Sequence, residues 1–328
     1  MKKKTMAFTL AEVLITLSVI GIIAAITLPS LIVNINERAW ESQKKALVAR
    51  LSQAIPQLST LSGYGTYTLG GETTDEDGNT TTTATEDTAS ETFIIDGLSK
   101  VYKVANICTS TDLSSCGLPD TIVPMNDGTE IDFPTSLSEL NTVFTFNNEL
   151  GGGDMYDTAA AAFETLNGES VAVYYNPACG SDNTTASHYV YNKMCVNFIY
   201  DLNGTKGPNQ MGKDIGFVTV FYKSDPSVAG PIPYTSNASS TYPSYSDSGD
   251  DAASACKDIS EDLRLPNRDE IASMFVNMRL MGITSGYYWS GSVISAGSSG
   301  LAWGQSFGHG SRYRSTRSLS YAVRCVRR

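Results

Sequence analysis

The chain has 328 residues, with 23 Lys and Arg against 34 Asp and Glu and a formal charge of −11. That length holds two modest domains beyond a membrane segment. The acidic balance argues against general nucleic-acid binding, which calls for a basic surface, and the sequence contains no Walker, Rossmann or HExxH pattern to suggest the matching enzyme chemistries.

Residues 1–33 open with Lys2, Lys3 and Lys4 and continue as a nearly unbroken apolar run from Phe8, interrupted by Glu12. A run of about 20 apolar residues spans a bilayer as a helix, and the lysines hold the leader in the cytoplasm. A secretory signal would have a shorter apolar core followed by a small-residue cleavage site. A carboxylate in such a segment costs a few kcal/mol, so Glu12 marks either a function or a position at headgroup depth, where it costs little. The segment resembles the N-terminus of type IV pilins and type II secretion pseudopilins. The resemblance implies cleavage by a prepilin peptidase between Ala7 and Phe8 and methylation of the Phe8 amine. It also implies that Glu12 is the assembly residue and that Pro29 is the helix-bending proline. Ala7 departs from the glycine usual before the cut. Glu12 of one subunit would neutralise the buried Phe8 amine of its neighbour. The implied location is a single pass through the inner membrane, then a periplasmic or extracellular filament of pilin or pseudopilin subunits. Loss of residues 1–7 moves the formal charge from −11 to −14 before the new amine is counted.

The helical pattern continues beyond the apolar run. Trp40, Leu47, Leu51, Ala54, Leu58 and Leu61 form one stripe. One helix is therefore expected over 8–61, transmembrane over 8–33 and amphipathic over 34–61, bent or broken locally at Pro29 and Pro56. A sheet is the natural partner for its amphipathic half.

A globular domain is expected over 62–223. Residues 70–91 are Thr-rich and acidic and read as a surface loop. Strand-like runs follow at Thr92–Ile95, Thr142–Phe146, Val171–Tyr175, Cys195–Tyr200 and Phe217–Tyr222, and Tyr156–Leu166 reads as a short helix. This is an α+β pattern. Asp201, Asn203, Thr205, Asn209 and Asp214 place several oxygens on one tight loop, as calcium requires. The loop lacks the EF-hand glycine and glutamate, since Lys206 and Gly212 stand at those positions, and Asn203-Gly204 is a turn signal, so a structural turn is favoured over calcium. It is similar to D-x-N-G turns of pseudopilin-like proteins, a few of which bind calcium.

Cys108, Cys116, Cys179, Cys195, Cys256 and Cys325 all follow the membrane segment, which fits an oxidising compartment. Six cysteines allow many connectivities; nearest-neighbour pairing gives 108–116, 179–195 and 256–325. Zinc is the rival, but no C-x-x-C occurs and His188 and His309 lie far from any cysteine pair.

Residues 224–251 read as a Ser-, Tyr- and Pro-rich linker. In 252–328, Asn267 can cap a helix beginning at Arg268, with Asp269 and Glu270 in its first turn, and Trp289, Trp303 and Phe307 lie in strand-like stretches. The run R-L-P-x-x-x-E, then Y-W-S, A-W and V-R-C-V-R, resembles a bacterial branch of the C-type-lectin-like superfamily related to formylglycine-generating and sulfatase-modifying domains. In that fold the chain ends meet, a Cys256–Cys325 bridge would fasten them, and Arg264, Glu270 and Arg324 are scaffold residues. Only those two cysteines are available to copy the enzymes' reactive pair, and His309 lacks a recognisable nucleophile or carboxylate partner nearby in the sequence, so no enzyme is expected.

Charge is uneven along the chain: residues 62–99 hold eight acids and no Lys or Arg, and residues 271–328 hold seven arginines and no acid. Two solvated faces, head-to-tail subunit contact or an anionic ligand all satisfy this pattern. The calcium and sugar motifs of true lectins are absent. A ligand, whether a glycan or another surface partner, would meet the aromatics and cations Tyr287, Tyr288, His309, Arg312, Tyr313, Arg314 and Arg317. DNA is the rival ligand and a purely structural tip role the other alternative. The expectation is a minor pilin or pseudopilin that displays a C-terminal binding head.

Overall fold

The computed structural model describes residues 10–61, 72–74, 80–82, 85–125, 128–141, 156–177, 179, 190, 193–221, 227–229, 235–236, 241–242, 252, 254–293, 301–316 and 319–327. The fold is α+β. It divides into two compact units, Met1–Ala46 and Leu47–Arg328, and one helix, α1 (Leu10–Leu61), supplies residues to both. At 1.5 Å per residue α1 is about 78 Å long. Pro29 and Pro56 both fall within its continuous span.

In the first unit, Leu10–Thr27 is long and apolar enough to cross a membrane, and none of it is buried inside the protein. Its hydroxyls are satisfied internally: Thr16 donates to the Val13 carbonyl at 2.9 Å, Ser18 to Leu14 at 2.8 Å and Thr27 to Ile23 at 2.9 Å. A helix in an apolar medium must satisfy its polar groups in this way. Further along, Glu41 pairs with Lys44 at 3.6 Å and with Lys45 at 3.4 Å.

In the second unit, the α1 stripe Leu47, Leu51, Ala54, Ile55 and Leu58 is buried. Each large side chain there contributes about 1.5–3 kcal/mol. Arg50 donates to Glu169 at 2.5 Å, and Glu169 also accepts from the Thr165 hydroxyl. Arg50, Gln53 and Gln57 share a cleft with Tyr102, Lys103 and Asn167.

The main sheet has six antiparallel strands: β3 (Val104–Cys108), β6 (Ala161–Thr165), β7 (Ser170–Tyr175), β8 (Met194–Asp201), β9 (Ile215–Phe221) and β10 (Ser227–Ala229). Their order is β10-β9-β8-β7-β6-β3. Small hairpins are formed by β1 (Glu72–Thr74) with β2 (Thr80–Thr82) and by β4 (Thr121–Ile122) with β5 (Ile131–Asp132). The first hairpin lies within the acidic Thr-rich segment.

Two local expectations are corrected. Thr92–Ile95 is not a strand: α2 (Ala89–Thr92) runs into a π-helical turn, Phe93–Leu98, and then α3 (Ser99–Val101). Helical geometry buries Phe93, Ile94 and Leu98 and leaves Ile95 and Asp96 outside, and Phe93 stacks on Tyr175 at 4.8 Å. Tyr156–Leu166 contains β6 rather than a helix. Pairing with β3 and β7 on both sides outweighs the helix propensity of its alanines. The run Thr142–Phe146 lies outside the described residues.

Residues 224–251, where described, supply β10, β11 (Thr235–Ser236) and β12 (Thr241–Tyr242). Strand β11 joins a three-stranded sheet, β11-β18-β13, with β13 (Leu263–Arg264) and β18 (Cys325–Arg327). Strand β12 joins a five-stranded sheet, β12-β17-β14-β15-β16. Its other members are β14 (Tyr287–Val293), β15 (Leu301–Ser306), β16 (Arg312–Thr316) and β17 (Tyr321–Ala322).

Two helices belong to this region, α4 (Ala255–Ile259) and α5 (Arg268–Val276). Asn267 caps α5 in a capping box with Glu270, a device worth about 1 kcal/mol. The α5 residues Ile271 and Phe275 share a core with Ile199 and Phe217 of the main sheet. A buried polar cluster ties the same surfaces. Asn197 and Asn277 exchange hydrogen bonds at 2.8 and 3.0 Å, Thr219 donates to Asn197 at 2.6 Å, and Ser273 donates to Thr219 at 2.5 Å. The three disulfides are Cys108–Cys116, Cys179–Cys195 and Cys256–Cys325, the nearest-neighbour set.

Candidate functional site

The five-stranded sheet carries the residues expected to meet a ligand and sorts them by face. Side chains alternate along a strand, and the register places Tyr287, Trp289, Gly304 and Tyr313 on one face. Tyr287 has its ring centre 5.1 Å from Tyr321, 5.9 Å from Tyr313 and 6.4 Å from His309. Tyr321 packs 4.4 Å from Trp289 and lies over Gly304, where a Cβ would meet the Tyr321 ring at 2.7 Å. His309 is oriented by Ser311 at 3.0 Å from Nδ1 and by the Tyr313 hydroxyl at 3.3 Å from Nε2. Tyr287 is 44% exposed and His309 is exposed, so this aromatic cluster meets solvent. Tyr321 was missed in the sequence because it joins the cluster only through strand pairing.

The remaining expected ligand residues are placed elsewhere. Tyr288 points to the opposite face, is 3% exposed, packs 4.5 Å from Phe307 and donates to the Thr284 carbonyl. It is a core residue. Arg312 donates to the Arg268 carbonyl at 2.6 Å and pairs with Asp269, with its side chain 8% exposed. It fastens β16 to the start of α5 and is not available as a surface cation. Arg314 pairs in register with Trp303 and lies 6.0 Å from that ring, on the face away from Tyr313. Arg268 approaches the same indole at 5.1 Å. Arg317 lies outside the described residues. Arg264 holds Glu270 through two 2.7 Å bonds, and Arg324 is buried, 5.9 Å from the Tyr288 ring, as scaffold residues would be.

The loop between β8 and β9 is the candidate cation site. Asp201 and Asp214 are fully buried. Asp201 Oδ1 accepts the Asn203 N–H at 2.9 Å, and the Asp214 carboxylate accepts those of Asn209 and Gln210, each at 2.9 Å. Asn209 adopts the left-handed conformation, φ 48°, which Asn tolerates. Asp201 Oδ2, Asn203 Oδ1 and Asn209 Oδ1 are buried with no hydrogen-bond partner. Unpartnered buried acceptors are costly, and hard oxygens of this kind are what calcium coordinates. Burial, reinforced by the nearby Asp214 charge, raises the Asp201 carboxyl to about 7 against backbone N–H bonds that lower it. Asp201, Asn203 and Asn209 therefore fit a cation; Asp214 shapes the loop through its two backbone bonds, and Thr205 is exposed. Among the described residues no group of three His, Cys, Asp or Glu is placed to hold a metal, so any such site depends on the amide oxygens. Ala7 and Phe8 lie outside the described residues, and Glu12 sits in the first turn of α1.

No protein-family model matches the chain. No curated protein matches it either.

Proposed function

We propose that this chain is a minor pilin or pseudopilin, a filament subunit that displays a binding head and performs no catalysis. The observation that carries the reading is α1. It is one helix of 52 residues, apolar and unburied at its start, with a buried stripe in its second half. In the proposed reading the first half sits in the inner membrane before assembly and among neighbouring subunits afterwards. Processing by a prepilin peptidase leaves the Phe8 amine to meet Glu12 of an adjacent copy. The Asp201–Asp214 loop takes calcium as a structural clamp, and the head meets a glycan or another surface ligand through Tyr287, His309, Tyr313 and Tyr321. The C-type-lectin-like resemblance supports a display role by analogy alone.

Glu12→Ala tests the assembly role. The variant should insert in the membrane at wild-type level and fall at least about tenfold in sheared filaments, since an unneutralised buried amine costs several kcal/mol. Normal incorporation of Glu12→Ala would contradict the reading.

A further inference from the structure

Residues 252–328 hold ten Lys and Arg against five Asp and Glu, in a chain whose formal charge is −11. Several of these arginines are engaged. Arg264 holds Glu270, Arg312 holds Asp269, Arg279 donates to the Glu139 carbonyl, and Arg324 is buried. Arg268 and Arg314 differ. Both are exposed, both guanidiniums lie on the half-buried Trp303 indole, at 5.1 and 6.0 Å, and neither forms an ion pair among the described residues. The indole restrains two planar cations in advance, so they lose less freedom when they meet an anion.

The complementary surface lies on the same chain. Glu86, Asp87 and Asp96 are exposed and Glu91 is half-buried, around the helical segment formed by α2 and the π-helical turn. None of the four forms an ion pair among the described residues, and no Lys or Arg occurs between them.

We propose that the Arg268–Trp303–Arg314 stack docks on the acidic segment that carries Glu86, Asp87, Glu91 and Asp96 in a second copy of this chain. Charge complementarity selects this occupant. A polyanion such as single-stranded DNA would gain the same two cations but would leave the carboxylates Glu86, Asp87, Glu91 and Asp96 unanswered, so it stands as an outcome of the test. The contact joins two different patches, so it repeats head to tail, and it builds an open row of subunits wherever the rotation between neighbours does not close a ring. It rests on the filament reading for its setting and adds the surface that sets neighbour register outside the membrane.

The test uses the full chain in detergent, with self-association followed by sedimentation velocity at low and raised salt. Wild type should associate more tightly at low salt. Arg268→Glu with Arg314→Glu should weaken association roughly tenfold, as should Glu86→Lys with Asp87→Lys and Glu91→Lys. Mixing the two reversed chains should restore it. Arg314→Glu alone, on an exposed strand position, serves where the double variant melts early. Association unchanged by reversal, or no recovery on mixing, would overturn the proposal. So would tight binding of a single-stranded oligonucleotide through Arg268 and Arg314 with self-association unaffected. The filament reading fails separately, if the mature chain does not begin at Phe8, whatever the association data show.

Discussion

Asp201 and Asn277 show what individual residues decide in this molecule. The Asp201 turn was legible, because D-x-N-G marks a tight loop, but the unpartnered oxygens of Asp201, Asn203 and Asn209 became visible only once the loop was closed by Asp214. If calcium sits there, chelation should lower the melting temperature by about 5 °C at metal concentrations well above Kd, and Asp201→Asn should melt alike with and without chelator. Without metal, the sign of the pH dependence follows from the raised carboxyl. Its folded value of about 7 exceeds the reference 3.8, so folding favours the protonated form. The stability it contributes is complete below about pH 4 and is lost as pH rises through about 7. Melting in chelator across that range should show this decline in wild type and not in Asp201→Asn. Asn277 gave no sequence signal, since a lone Asn after a helix reads as a cap. It is the C-cap of α5 and also completes a buried network with Asn197 and Thr219. Asn277→Leu leaves the buried Asn197 side-chain NH2 without its acceptor, while Thr219 keeps Ser273 and Asn197, and should cost about 1–3 kcal/mol in denaturant unfolding.

At the scale of elements, strands flanked by clear turns were readable. Val171–Tyr175, Cys195–Tyr200 and Phe217–Tyr222 correspond to β7, β8 and β9. The alanines of β6 and the run at Thr92 misled because strand pairing in the first case and helical burial of Phe93, Ile94 and Leu98 in the second, not local propensity, chose their state. The α5 start was legible from Asn267, Asp269 and Glu270, whose cap is local chemistry. The ligand face was half legible. Composition pointed to Tyr287, His309 and Tyr313, but it could not assign faces, so Tyr288 and Arg312 were grouped with residues from which the sheet separates them. The Cys256–Cys325 bridge ties α4 to β18 across 69 positions. Replacing both cysteines with serine should remove about 4 kcal/mol by loop entropy, read as a lower denaturant midpoint with an unchanged native spectrum.

For the whole molecule, the α+β class and the long helix followed from patterning, because an apolar run and a six-residue stripe at helical spacing are strong signals. The joining of the last 77 residues to the main sheet did not. It depends on the shared core of Ile271 and Phe275 with the sheet and on the Asn197–Asn277 pair, whose members are 80 residues apart, and such long-range contacts leave no local trace. The head proposed for surface binding is thus anchored in the same core as the sheet beside α1, and its ligand tests belong on the whole chain. The central proposal, a filament subunit matured at its N-terminus, meets its most direct test in the intact mass of the protein recovered from sheared filaments. The account predicts a chain that begins at Phe8 and carries one added methyl group. A mature chain that retains residues 1–7, or begins anywhere other than Phe8, would contradict it.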